Sequence, residues 1–167
     1  MEFCMTVSNV LDRVLSLTGY LTRDASALIP DPACFHLRLA LHELVTNAIE
    51  HGNLAISSQE KTDALIRGEY ESMVEERCRD ARYRDRRATI TVTYDREGGL
   101  VRYRISDQGH GFDWRQELRR SASIDPQTAG SGRGIHLAKT LVDDLTYNEK
   151  GNEAIVTLFL NRISQPL

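Results

Sequence analysis

The sequence predicts an α+β domain in which helices cover one face of a mixed, mostly antiparallel sheet. Two patterns carry that expectation. Through residues 8–50 the apolar residues recur at helical spacing, whereas from residue 88 onward they alternate between turn residues. The scale comes from the length: 167 residues with no internal repeat and no low-complexity linker suit one domain, residues 1–167, with a single core.

Taken in order, residues 3–7 place Phe3, Met5 and Val7 on one side and predict a short, half-buried strand. From Ser8 the period changes. Val10, Leu11, Val14, Leu17 and Leu21 mark a first helix, with Ser8 or Asn9 as its cap. Ile29-Pro30-Asp31-Pro32 breaks the chain and starts a second helix over about residues 33–50. Leu37, Leu41, Leu44, Val45 and Ala48 form its core stripe, and Gly52 is placed to end it. Residues 57–87 read as an exposed helical insertion, in which Leu65, Tyr70, Met73 and Val74 make a loose apolar stripe and Gly68 is a weak point. Residues 88–94 and 100–106 read as strands joined at Glu97-Gly98-Gly99. A short helix at 114–120, a Ser/Ala/Gly-rich stretch at 121–134 expected to be mobile, and a helix from Ile135 follow. Strands near 144–148 and 154–161 around Lys150-Gly151-Asn152 close the chain.

Composition narrows the function. With 41% hydrophobic and 27% charged residues the chain is globular rather than disordered. A formal net charge of -3 gives no global attraction to nucleic acid or to an anionic membrane. The arginines of residues 77–87 are diluted by Asp80 and Asp85 and read as a solvated face. Cys4, Cys34 and Cys78 are widely spaced with no C-x-x-C, as free thiols in a reducing compartment would be. No run approaches the ~18 apolar residues of a membrane span, and the N-terminus lacks the pattern of a secretory signal. The expectation is a soluble, cytoplasmic protein.

Three segments carry chemistry. On the second helix, Glu43 and Asn47 lie one turn apart on a face separate from the core stripe. A carboxylate there can take a proton, and an amide oxygen is a hard ligand suited to Mg²⁺. Directly after a strand, Asp107-Gln108-Gly109-His110-Gly111-Phe112 combines an acceptor with glycines that let backbone approach a flat ring. Gly130-Ser131-Gly132-Arg133-Gly134 opens a helix, where free N–H groups and Arg133 make an anion site. Its glycine spacing fits neither a Walker A loop nor a dinucleotide fingerprint, and His42-Glu43 lacks the second histidine of a zinc-protease motif.

In their order and context these segments resemble the GHKL superfamily of ATPases. His42-Glu43-Leu44-Val45-Thr46-Asn47-Ala48 is similar to its N box, Asp107-x-Gly109-x-Gly111-Phe112 to its G1 box, and Gly130-Ser131-Gly132-Arg133-Gly134-Ile135 to its G2 box. The E-x-x-T-N-A form, the short lid and the ending Gly151-Asn152-Glu153-Ala154 resemble most the anti-sigma factor serine/threonine kinases and related domains of phosphatases and response regulators. The resemblance implies a two-layer α/β sandwich with a mobile ATP lid at 121–134, and ATP and Mg²⁺ as cofactors. It implies Glu43 as general base, Asn47 as Mg²⁺ ligand and Asp107 as adenine acceptor. Gly109 and Gly111 would shape the adenine pocket, Thr157 would support it, and Gly130, Gly132, Arg133 and Gly134 would wrap the phosphates. The implied partner is an anti-anti-sigma-type protein whose Ser or Thr is phosphorylated, with a sigma factor as a further candidate; dimerisation is common in the family. A nucleotide-gated binding module without turnover is the alternative. Residues 57–87 depart from the simplest kinases of this group by their length and bear on the partner surface.

Overall fold

The computed structural model of the protein describes residues 1–122 and 134–160. Strands β1 (Glu2–Val7), β2 (Ala88–Asp95), β3 (Leu100–Ser106), β4 (Asp144–Tyr147) and β5 (Glu153–Phe159) form one sheet in the order β1-β2-β3-β5-β4. All four pairings are antiparallel, so the mixed character expected of the sheet does not extend to a parallel pair among the described residues. Each helical excursion returns the chain running against its neighbour, and the β2–β3 and β4–β5 connections are hairpins.

Alternation decides which face is covered. Ile90 and Val92 of β2, Val101, Tyr103 and Ile105 of β3, and Val156 and Leu158 of β5 all point one way and are buried. Onto them pack Val14 and Leu21 of α1 (Val14–Thr22), Leu37, Leu41, Leu44 and Val45 of α2 (Asp31–Asn47), and Ile135 and Ala138 of α6 (Gly134–Leu141). The other face carries Thr91, Thr93, Arg102 and Arg104, the pattern of an antiparallel sheet with one wet side. The result is the two-layer sandwich that the family resemblance implied. Tyr103, fully buried, donates its hydroxyl to Leu21 O at 3.1 Å; burial raises its phenol above the ordinary value.

Several local expectations change. A 3₁₀ turn, Leu11–Arg13, precedes α1, and Asn9 does not cap it. Asn9 is buried instead, where its amide accepts from Asn53 Nδ2 at 2.9 Å and donates to Tyr83 O at 3.1 Å. Gly52 does not stop the second helix. α2 continues as a π-helical turn, Ala48–Asn53, and Gly52 lies inside it.

The stretch 57–87 holds two helices, α3 (Ser58–Arg67) and α4 (Tyr70–Arg79). Ser57 and Glu60 close a capping box at the start of α3, and Gly68, far from weakening a helix, ends it in the left-handed conformation at φ 70°. Met73 and Val74 reach the core and Ala64 is buried, but Leu65 is 55% exposed, because the break at Gly68 turns α4 out of the register that a continuous stripe would need. The remaining helix is α5 (Trp114–Ala122). No helix of the described residues is long and apolar enough to cross a membrane.

Leu41 lies at the centre of the helix–sheet interface and is fully buried. Leu41→Ala is expected to cost about 2–5 kcal/mol, from lost burial plus the cavity left behind. Urea denaturation should show it as a lower midpoint at an unchanged slope.

Candidate functional site

A cleft of about 1300 Å³ opens over the C-terminal half of α2. That is larger than the roughly 300–1,000 Å³ of an ordinary small-molecule site. Glu43, Asn47, His51 and Gly52 line its floor along one side of α2 and the π-helical turn. Asp107, Gly111 and Phe112, from the loop after β3, close one end together with Gly151 and Asn152 from the β4–β5 turn. Gly134, Ile135 and Leu137 of α6 form one flank, and Ser58, Lys61, Thr62 and Ile66 of α3 form the other.

Asp107 is built in from three directions. A β-carbon on Gly52 would lie 2.3 Å from its carboxyl carbon, so only glycine lets the helix backbone pass this close. Gly109 N–H donates to Asp107 Oδ1 at 2.8 Å, and a β-carbon on Gly109 would strike Gly52 O at 2.5 Å. From the other side Asn152 brackets the Asp107 backbone, accepting from its N–H through the main chain and donating Nδ2 to its carbonyl, both at 3.0 Å. Asn148 fixes that turn in its own right, because its Oδ1 accepts from the N–H groups of Gly151 and Asn152. Burial pushes the Asp107 carboxyl above its usual range, opposed less strongly by the Gly109 bond and by Lys150 and Arg86.

Gly111 and Gly151 face each other with positive φ, 77° and 78°. A β-carbon on either would collide with the other strand's backbone, at Lys150 O or Phe112 O, so the two loops lock by close approach. Beside them Tyr147 stacks on Trp114 and meets Phe112 edge-on, giving this end of the cleft an apolar wall.

The first residue of α6 abuts the paired polar residues of α2. A β-carbon on Gly134 would sit 2.5 Å from Glu43 Oε2 and 3.6 Å from Asn47 Nδ2. A carboxylate, an amide and a helix N-terminus thus converge on one small volume.

The arginines expected as a solvated face are partly structural. Arg77 Nη1 donates to the carbonyls of Leu54 and Ala55 at 3.1 and 3.2 Å, and Arg86 Nη1 to those of Gly52 and Asn53 at 3.4 and 3.1 Å. The orphan carbonyls at the end of a helix attract cations, which draws these two inward. Asn53, which they help hold, accepts at Oδ1 from Gln108 N–H at 3.0 Å beside Asp107. Ala55, held at φ 52° in the left-handed region, also lines the cleft.

Of the site residues singled out from the sequence, Glu43, Asn47, Asp107, Gly111 and Gly134 line the cleft. Gly109 lies beneath it as spacer between Asp107 and Gly52. Gly130, Gly132 and Arg133 lie outside the described residues. Thr157 does not line the cleft: it alternates with Val156 and Leu158 onto the opposite sheet face, and Glu153 and Ala154 are the β5 residues at the site. Gly52, Lys61, Tyr147 and Ala154 were not assigned to the site from the sequence. A glycine inside a helical pattern was the available signal for Gly52, and Lys61 is one of only three lysines.

A model of the histidine kinase-like ATPase domain matches residues 11–158, and the chain belongs to that family. The cofactor such a domain handles is ATP. No curated protein matches the chain.

Gly52→Ala should displace Asp107 or the turn carrying it, costing about 1–3 kcal/mol in a thermal or urea melt. For Asp107 the folded state holds the raised carboxyl value, so its neutral form is favoured by folding. The stability it contributes is full below the unfolded value near pH 4 and is lost as pH rises through the folded value. Asp107→Asn should therefore melt at or above the wild type at neutral pH. That advantage should close as melts are repeated down through the carboxylate range.

Proposed function

We propose that the protein is an ATP-dependent serine/threonine kinase of the anti-sigma type, acting on a Ser or Thr of an anti-anti-sigma-type partner. The observation that carries this is the convergence of Glu43, Asn47 and the start of α6 in the cleft that Asp107 closes. A domain that only stored nucleotide would need no carboxylate at that place.

The residues present fit ATP. The Asp107 carboxylate accepts one hydrogen bond among the described residues, from Gly109 N–H, which leaves acceptor capacity for an exocyclic amine in the cleft that Ile105 and Ala154 also line. The fit to Mg²⁺ is of a particular kind. Among the described residues no cluster of three or more His, Cys, Asp or Glu could hold a metal. Asn47 would supply one oxygen and phosphates the others, which is how Mg²⁺ is commonly held at nucleotide sites.

When bound, Mg²⁺-ATP supplies the transferable γ-phosphoryl group and the charge that neutralises it. Asp107 and Gly111 orient the base end, and the N-terminus of α6 offers N–H groups to anionic oxygens. Glu43 takes the proton of the partner's hydroxyl as the new oxygen–phosphorus bond forms. The bond to the bridging oxygen would break in the same displacement, giving ADP and a phosphorylated partner.

A second reading, nucleotide-gated capture of a sigma factor or other regulator without turnover, draws on the exposed Leu65 and Ile66 at the rim of the cleft, which suit a protein contact.

Calorimetric titration of ATP should show binding that strengthens with Mg²⁺ and loses that dependence in Asn47→Ala. Glu43→Ala should retain ATP binding and lose phosphoryl transfer by about 10²-fold or more. Transfer that persists in Glu43→Ala would count against the kinase mechanism. Binding without transfer to any anti-anti-sigma-type protein would favour the second reading.

A further inference from the structure

The flank of the cleft opposite α6 is made by the insertion, and its chemistry is specific. Four acidic side chains line the described cleft, Glu43, Asp107, Glu117 and Glu153, against a single lysine or arginine, Lys61 of α3. A polyanionic ligand entering so acidic a cleft needs cationic compensation.

Lys61 is held in place from below. Glu50, 1% exposed, follows Asn47 by three residues and so continues the Glu43–Asn47 side of the helix. Its carboxylate is covered by the insertion: Lys61 Nζ donates to Oε2 at 2.6 Å, and the Tyr70 hydroxyl donates to Oε1. Lys61 also lies over the Tyr70 ring, 5.7 Å from its centre. The ammonium is consequently stationed at Glu50, three residues past Asn47 on that helix, and Ser58 and Thr62 line the same wall. An ammonium has three donors, and Glu50 occupies one of them. Because Tyr70 holds the other carboxylate oxygen, Glu50 keeps a partner when Lys61 turns toward the cleft.

We propose that the insertion forms a wall of the nucleotide site and that its Lys61 binds the nucleotide's phosphates, a role resting on the nucleotide-binding reading above. The segment would then be part of the ATP site as well as a surface for partners, so that whatever moves α3 alters nucleotide affinity.

Lys61→Met alone would leave the buried Glu50 carboxylate without a counter-charge, so the test uses a Glu50→Gln background, with folding checked by melts. ATP and adenosine are titrated calorimetrically into the wild type, Glu50→Gln, Glu50→Gln/Lys61→Met and Glu50→Gln/Lys61→Arg. The expected result is that Glu50→Gln and its Lys61→Arg derivative bind ATP within a few-fold of wild type. The Lys61→Met derivative should bind ATP about tenfold or more weakly, with adenosine unchanged. Equal ATP affinity in the Met and Arg derivatives would overturn the proposal, as would adenosine weakened as much as ATP. Wild type that binds ATP while the variants show either pattern leaves the nucleotide reading standing. Wild type that binds neither ligand removes that reading, and this inference with it.

Discussion

The carboxylate of Asp107 occupies the space where a side chain on Gly52 would be, and the geometry of the cleft depends on that contact. It joins the floor helix to the end of the sheet at backbone range, where a few tenths of an ångström decide whether both can be accommodated. Around it the chain supplies constraints rather than adjustable side chains: Gly109 against Gly52, Gly111 against Gly151, and Asn152 on both sides of the Asp107 backbone. A half-buried carboxylate is disfavoured and stays in place only where its position is enforced. Here enforcement comes from three separate segments, which is the arrangement of a preorganised recognition group.

The insertion belongs to the same system. Arg86 takes the last carbonyls of the π-helical turn and Arg77 the two that follow it, while Lys61 and Tyr70 take the buried carboxylate of Glu50. Both ends of that turn are thereby held by residues more than ten positions further along the chain. Arg86 also lies near enough to Asp107 to oppose the effect of its burial. The insertion is thus bonded to the continuation of the helix that carries Glu43 and Asn47.

The fold was largely legible because its two periodicities are clean. The α2 stripe from Leu37 to Ala48 and the alternation of Val101, Tyr103 and Ile105 each point to one buried face, and each is buried there. Glu43 and Asn47 could be placed on a separate side of α2 by the same arithmetic. What escaped was whatever depends on contacts between distant segments. Gly52 looks locally like a helix stop, and only Asp107, 55 residues later, gives it another purpose. Asn9 looks like a cap until Asn53 and Tyr83 claim it. Charge runs such as 77–87 read as solvated because nothing local shows which guanidiniums will find carbonyls. Thr157, implied only by the resemblance, lies on the sheet face opposite Val156 and Leu158, since each step along a strand exchanges the two faces.

The pairing of β1 with β2 joins Val7 to Ala88 and Glu2 to Thr93, so the whole helical layer from α1 to α4 lies inside the loop which that pairing closes. Closing such a loop costs entropy that grows only with the logarithm of its length, and the roughly thirty residues of the insertion add well under 1 kcal/mol. The ion pairs and core contacts that α3 and α4 make can offset an increment of that size. The cost of closing the loop is therefore nearly indifferent to chain length at this point of the topology. A lineage could lengthen, shorten or exchange the segment while the five-stranded sheet kept its register.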